Sequence, residues 1–412
     1  MSTDTHFGHW DEEPAPRQGP GVAWLAVFIL SFIVFSLLTR QLLMSGYFSA
    51  GAGRILEQLY GPPGSADSLA GVYPVLPYLL SRGISLVPFF ADAAPYYADC
   101  LAAAVLMGLG FARMRRAGIG FWLATAMIVA IAANPIFLFV ATSGSGLALA
   151  LLFAYIFAMG VMALAQARFL VGGLLVGVAS TGLLLSTPLG FYLLLIAAPF
   201  LVLASRQQLM AVMPSSVYVG LAVLPLVVLV ALLGSNLALT GDFSSFLQSL
   251  AGTPHFVRSG ASLEPWPYIM GGSPMAVTIV MLAGLLLAFP ALVFTLSGIF
   301  AGTNMLRATL LIAAVIMVTG VVTTYLGVLS HPALLWAFAV PPTLVALGEL
   351  RYGMGGRIFA TIALVAGIAG GWWLMGLHPN LNLTVWRSEM GATFAQAAQG
   401  FPRPAEAAPS ER

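Results

Sequence analysis

The chain has 412 residues, 60% of them hydrophobic and 7% charged, with a formal net charge of +2 and a mean hydropathy of +0.97. A soluble chain carries roughly a quarter charged residues, so a soluble globular domain is excluded, and so small and scattered a positive charge offers no surface for nucleic acid. What remains is a polytopic membrane protein whose first partner is the lipid bilayer.

All sixteen basic side chains are arginine and none is lysine, which with 44 Gly and 26 Pro suggests a GC-rich bacterial genome. The single cysteine, Cys100, permits no internal disulfide, and no His/Cys cluster has metal-ligand spacing. No cofactor is expected on these grounds, and a divalent metal is left open.

Residues 1–20 are polar, with Asp11-Glu12-Glu13 and several prolines, and are expected to be disordered. The apolar run that follows has no convincing small-residue cleavage site and reads as an uncleaved first span. Runs long enough to cross fall at about 22–44, 96–112, 119–139, 145–165, 169–186, 188–204, 214–234, 273–298, 308–329, 333–348 and 357–376. Each is near the ~20 residues a bilayer needs, and the runs are continuous rather than alternating. The fold expected is all-α: one polytopic bundle over 21–376 with about eleven transmembrane helices.

Arg113, Arg115, Arg116, Arg168, Arg206, Arg307, Arg351 and Arg357 occupy every second connection, while 140–144, 187 and 330–332 hold no arginine. This positive-inside alternation puts the arginine loops in the cytoplasm, and it puts 235–272 and the tail from His378 outside. The side of the N-terminus turns on 74–90. If that stretch crosses, 45–73 is cytoplasmic; if it is interfacial or re-entrant, 45–95 is an outer loop and the N-terminus is cytoplasmic. Pro74, Pro77, Pro88, Arg82 and Gly83 all disfavour a full span. The expected location is therefore a bacterial inner membrane, multi-pass, with a cytoplasmic N-terminus and a periplasmic C-terminus. In the outer tail, 377–412, Trp386, Met390 and Phe394 recur at i, i+4 and i+8, predicting a short amphipathic helix near 385–397 on the outer leaflet.

Two outer loops hold the polar residues suited to chemistry. In the first, Arg54 and Glu57 lie one helical turn apart, and Asp67 follows the turn-rich Gly61-Pro62-Pro63-Gly64-Ser65 and precedes Tyr73. A carboxylate at a membrane surface can serve as general base for a hydroxyl, whereas a solvating ion pair and a turn aspartate account for the same residues without chemistry. In the second, Asp242, His255, Arg258, Glu264, Trp266 and Tyr268 stand together. His255 and Arg258 suit a phosphate, and the aromatics suit either a sugar ring or the headgroup belt. Thr142-Ser143-Gly144-Ser145-Gly146 lacks the lysine of a nucleotide loop and reads as an outer turn. Asp92 and Asp99, near the outer end of the second span, are expected to reach water. The spans carry few other ionisable groups, which counts against an ion-coupled transporter.

The stretch Tyr73-Pro74-Val75-Leu76-Pro77-Tyr78-Leu79-Leu80, the helix at 96–112 and Arg113-Met114-Arg115-Arg116-Ala117-Gly118 carry a family likeness. Asn134-Pro135-Ile136-Phe137 and Gly172-Gly173-Leu174-Leu175-Val176-Gly177 add to it. Over about residues 20–205 the layout resembles the GT-C superfamily of integral-membrane glycosyltransferases. There a first helix leads to a long outer loop with juxtamembrane helices, then to a second span ending in a basic cytoplasmic cluster. The resemblance implies transfer of a sugar from a polyprenyl-phosphate donor to an acceptor at the outer face. Asp67 or Glu57 would be the base, and Arg54, Arg82, His255 and Arg258 would contact phosphate or substrate. Tyr73, Glu264 and Trp266 would shape the pocket. Family members place an acid soon after the first helix; Met44-Ser45-Gly46-Tyr47-Phe48-Ser49-Ala50-Gly51 has none. The alternative from another class is a non-catalytic subunit that keeps the fold and packs with other membrane subunits, and a transporter or flippase ranks third.

Overall fold

The computed structural model describes residues 21–60, 74–166, 168–204, 214–241, 274–296, 304–325, 336–348, 354–376 and 385–392. Among them every regular element is helical. In chain order these are α1 (Ala23–Met44), α2 (Ala50–Tyr60), α3 (Val75–Ser85), α4 (Ala94–Arg116), α5 (Phe121–Ala132), α6 (Pro135–Thr142), α7 (Leu147–Ala165) and α8 (Phe169–Ser186). They continue with α9 (Pro188–Ala204), α10 (Pro214–Thr240), α11 (Pro274–Ala288), α12 (Asn304–Tyr325), α13 (Val340–Gly348), α14 (Met354–Gly376) and α15 at 385–392. Short 3-10 turns precede α4 (Ala91–Ala93) and follow α11 (Pro290–Leu296).

Five helical stretches among the described residues are long and apolar enough to cross a membrane: α1, Ala91–Arg116, α7, α8 and α14. The pair α5 and α6 makes a sixth if its 70° bend is counted within one span. The chain is thus an all-α polytopic bundle, with fewer candidate crossings among the described residues than the eleven expected. Two expected spans are interrupted. The run at 119–139 breaks at Asn134, and the run at 273–298 passes from α11 into a 3-10 turn.

The break at Asn134 has a local cause. Pro135 occupies the first turn of α6 and drives Asn134 into an extended conformation, φ −63° and ψ 124°. Freed from the helix, the Asn134 side chain caps α6, its Oδ1 accepting from the Ile136 amide at 3.1 Å. Its Nδ2 donates to the carbonyls of Ala288 at 2.9 Å and Gly367 at 3.2 Å. One buried amide therefore ties α6, α11 and α14 together. Gly367, Gly370 and Gly371 make the approach close: a Cβ at Gly370 would stand 2.3 Å from the Leu287 carbonyl oxygen.

α4 and α7 are buried along most of their length, whereas α1 shows most of its surface to the surroundings. α1 runs antiparallel to α4. Near one end Gly108 receives Phe28 and the Trp24 carbonyl, and near the other the Thr39 hydroxyl lies 3.2 Å from the Cys100 sulfur. α7 and α8 form an antiparallel hairpin in which Gly160 meets Leu175 and Val176, Gly172 meets Leu164, and Gly182 meets Phe153.

These pairings define two ends of the bundle. At one, Arg115 donates to the Ile119 carbonyl at 2.7 Å, Arg357 donates to the Gly118 carbonyl at 3.1 Å, and the Arg113 stem covers Gly348. Cations there complement the C-terminal dipole of α4. At the other end lie the α1–α2 connection, α2, α3, the start of α4 and the α6–α7 turn. Segment 45–93 leaves and re-enters the bundle at this same end, because α1 and α4 are antiparallel. Its helix α3 has eleven residues, about 16 Å at 1.5 Å per residue, too short to cross.

Helix α15 starts where the tail pattern predicts, but its apolar face meets protein. Trp386 and Met390 are both fully buried, Trp386 stacking 6.2 Å from Trp372 and lying edge-on to Phe139 at 5.6 Å. The periodicity that marks a membrane-surface helix here marks a helix docked on the bundle; Phe394 lies outside the described residues.

Candidate functional site

The end opposite Arg113, Arg115 and Arg357 is assembled from sequence-distant pieces. α2 is amphipathic: Ala52, Ile55 and Leu59 are buried, while Arg54, Glu57 and Tyr60 are exposed. Ile55 and Leu59 pack with Ala94, alongside Tyr78 and Ile84 of α3. The Tyr60 hydroxyl donates to the Ala91 carbonyl at 3.0 Å, pinning the end of α2 to the approach to α4. α3 rests through Val75 on Leu184 of α8 and Leu232 of α10.

Below these two helices runs the turn Ser143-Gly144-Ser145-Gly146, with Gly144 at φ +66° and Gly146 at φ +79°. These left-handed positions, which a side chain resists, let the chain leave α6 and enter α7 in four residues. The turn is clasped from three sides. Gly144 lies under Ala52 and the Tyr96 ring, Gly146 abuts Pro77, and the Gly146 amide donates to Asp99 Oδ2 at 3.1 Å. The amides of Ser145 and Ala148 also face this carboxylate, so Asp99 sits at the positive end of α7. Its other oxygen, Oδ1, makes no hydrogen bond.

Asp99 also looks onto a narrow crevice between α2, α3, α4 and α7. Ile55, Pro77, Leu80, Ser81, Pro95, Ala98, Gly146 and Leu149 complete its walls. The space among them is nowhere wide enough for a water. Of the two aspartates expected to reach water, Asp92 is exposed and Asp99 is 1% exposed.

The remaining sequence-predicted residues are not brought together. Arg54 and Glu57 share the exposed face of α2, and Arg82 is exposed in the last turn of α3. Asp67, Tyr73, His255, Arg258, Glu264 and Trp266 lie outside the described residues. Where the family likeness implies an early acid, Tyr47 and Ser49 are buried, and the Ser49 amide donates to the Tyr96 hydroxyl at 2.8 Å. Burial, with Tyr96 beside it, pushes the Tyr47 phenol above its ordinary value, so it is neutral at physiological pH. No three His, Cys, Asp or Glu side chains converge among the described residues.

Sequence reasoning passed over the pairing of Asp99 with the turn at 143–146. The signal available was an acid inside an apolar run together with a Ser/Gly turn, but the two are 47 residues apart. Thr142, just before that turn, accepts from Trp386 Nε1 at 3.0 Å and donates to the Leu138 carbonyl at 2.7 Å. Trp386→Phe keeps the aromatic stack and removes the N–H. The expected cost is about 1–2 kcal/mol, read as a lower unfolding free energy in mixed micelles; an unchanged value would show that the indole N–H contributes nothing.

No protein-family model matches this chain, and no curated protein or solved structure compared with it is significantly similar.

Proposed function

We propose that this chain is a membrane glycosyltransferase-like protein of a bacterial inner membrane, transferring a sugar from a polyprenyl-phosphate donor to an acceptor at the periplasmic face. The observation that supports this reading is the arrangement of α1 to α4. Two antiparallel apolar helices are joined by a segment that carries two short helices, and these lie at the end opposite Arg113, Arg115 and Arg116. That is the layout the GT-C likeness implies. On it the donor's prenyl chain stays in lipid beside α3, and its phosphate meets exposed cations such as Arg54 and Arg82, with His255 and Arg258 as further partners. A carboxylate of the first loop, Asp67 or Glu57, takes the acceptor's proton.

The test is sugar transfer in proteoliposomes from a tritiated polyprenyl-phosphate hexose. Asp67→Asn or Glu57→Gln is expected to lower the rate by about 100-fold or more. Full activity in the double variant would sink the assignment of the base. No transfer by the unaltered protein with a panel of donors and acceptors would sink the reading itself.

One observation favours a second reading, a non-catalytic subunit that keeps this architecture. The place where an acid is implied holds Ser49, buried and bonded to Tyr96. On that reading the double variant assembles with its membrane partners as the unaltered chain does, which co-purification in mild detergent would measure.

A further inference from the structure

Helix α1 carries one charged side chain, Arg40, four residues before its end at Met44. At 1.5 Å per residue Arg40 stands about 26 Å from Ala23, close to the edge of a ~30 Å hydrocarbon core. The side chain is exposed, and its contact among the described residues is with a ring: the guanidinium carbon lies over Phe89, 6.0 Å from the ring centre. No carboxylate pairs with it and no carbonyl accepts from it among those residues. A ring contact leaves the guanidinium N–H groups unused, and a cation without a counter-charge at that depth is costly. An anion from the surroundings relieves the cost.

The neighbours of Arg40 say what carries that anion. Ile33 and Leu37 precede it by seven and three residues, share its face of α1 and are exposed. On the Phe89 side, the connection from α3 to α4 turns Leu86, Val87 and Phe89 outward, Phe89 being 70% exposed. Phe90 anchors this connection between the two spans, 4.5 Å from the Tyr97 ring of α4 and 6.4 Å from Phe32 of α1. A cation therefore stands at the head of an apolar strip that runs on down α1. A glycerophospholipid has the matching order, a phosphate followed by acyl chains; inorganic phosphate offers the same oxygens and nothing for the strip. We propose that Arg40 and Phe89 form a binding site for a glycerophospholipid of the bilayer, the guanidinium donating to the phosphodiester oxygens and the acyl chains lying along Ile33, Leu37 and Leu86. The site needs neither a sugar nor a base, so it stands apart from the sugar-transfer reading.

Native mass spectrometry of the full-length protein, released from detergent micelles, resolves each bound lipid by its mass. The probes are dioleoylphosphatidylglycerol and dioleoylglycerol, which share their acyl chains and differ in the phosphodiester headgroup. The first phosphatidylglycerol is expected to bind about tenfold more tightly than dioleoylglycerol, and Arg40→Gln should remove that advantage. Excess inorganic phosphate should not displace the lipid. Equal affinity for the two lipids, or unchanged phosphatidylglycerol affinity in Arg40→Gln, overturns the proposal. Displacement by inorganic phosphate overturns it too, because the site would then belong to a free anion. So does a dimer that binds less lipid than the monomer, because a second copy of the chain would then cover the strip. The comparison of the two lipids is made on the unaltered chain, so a folding defect in the variant cannot imitate its result.

Discussion

Asn134→Ala is expected to destabilise the bundle by about 2–4 kcal/mol, the sum of a lost helix cap and two lost hydrogen bonds between helices in a dry interior. The three bonds involved join α6 to itself, to Ala288 and to Gly367. Asn134→Asp is the sharper variant. It keeps an oxygen for the Ile136 amide but turns the Nδ2 donor into an acceptor facing two carbonyl oxygens. It should be at least as damaging as alanine although it is nearly isosteric. Unfolding free energies in bicelles would check both. A cost below about 1 kcal/mol for alanine would mean that Pro135 alone holds the 70° bend and that the amide only decorates it.

The second large effect is expected at Gly146→Ala. Two penalties combine there. The left-handed backbone, φ +79°, costs about 1–2 kcal/mol with a Cβ. That Cβ would also lie 2.7 and 2.8 Å from the Pro77 ring, whose stiffness forces α3 to move, adding about 1–3 kcal/mol. Gly118→Ala separates the two, since Gly118 has φ +77° and open space around it. It should show the backbone penalty alone. Hydrogen exchange gives the local readout: α3 amides should exchange faster in Gly146→Ala and unchanged in Gly118→Ala, with α4 protected in both. Equal stability losses in the two variants would show that the contact with Pro77 carries no weight.

The continuous apolar runs at 22–44 and 169–186 were legible almost to the residue, because hydropathy alone ends them. The break at Asn134 was not, since its neighbours on both sides are apolar and only the Asn-Pro pair marks it. The count of eleven spans is not confirmed among the described residues, where five or six stretches qualify; hydropathy weighs side chains and does not register where the backbone turns. For the candidate site, Asp99 was visible as an acid in an apolar run, yet its burial depends on Gly146 and on the approach of α3, which no local pattern encodes. The i, i+4 pairing of Trp386 and Met390 was legible as an amphipathic face. Periodicity cannot distinguish lipid from protein as the medium that face meets, and here it is Trp372, Phe139 and Thr142.

The docking of Trp386 also sets an order of assembly. Trp386 follows Thr142 by 244 residues, so at roughly 5–20 residues per second the ribosome delivers it roughly 12–50 s later. Throughout that interval the Thr142 hydroxyl and the Phe139 ring await an indole that has not been made. The bundle therefore spends part of its synthesis as a nascent chain with an open apolar socket, a state that membrane quality-control proteases and insertion chaperones can recognise. Chains stopped just before residue 385 would be held in that state, and a substitution at Trp386 would show first in cellular abundance rather than in any property of the finished protein.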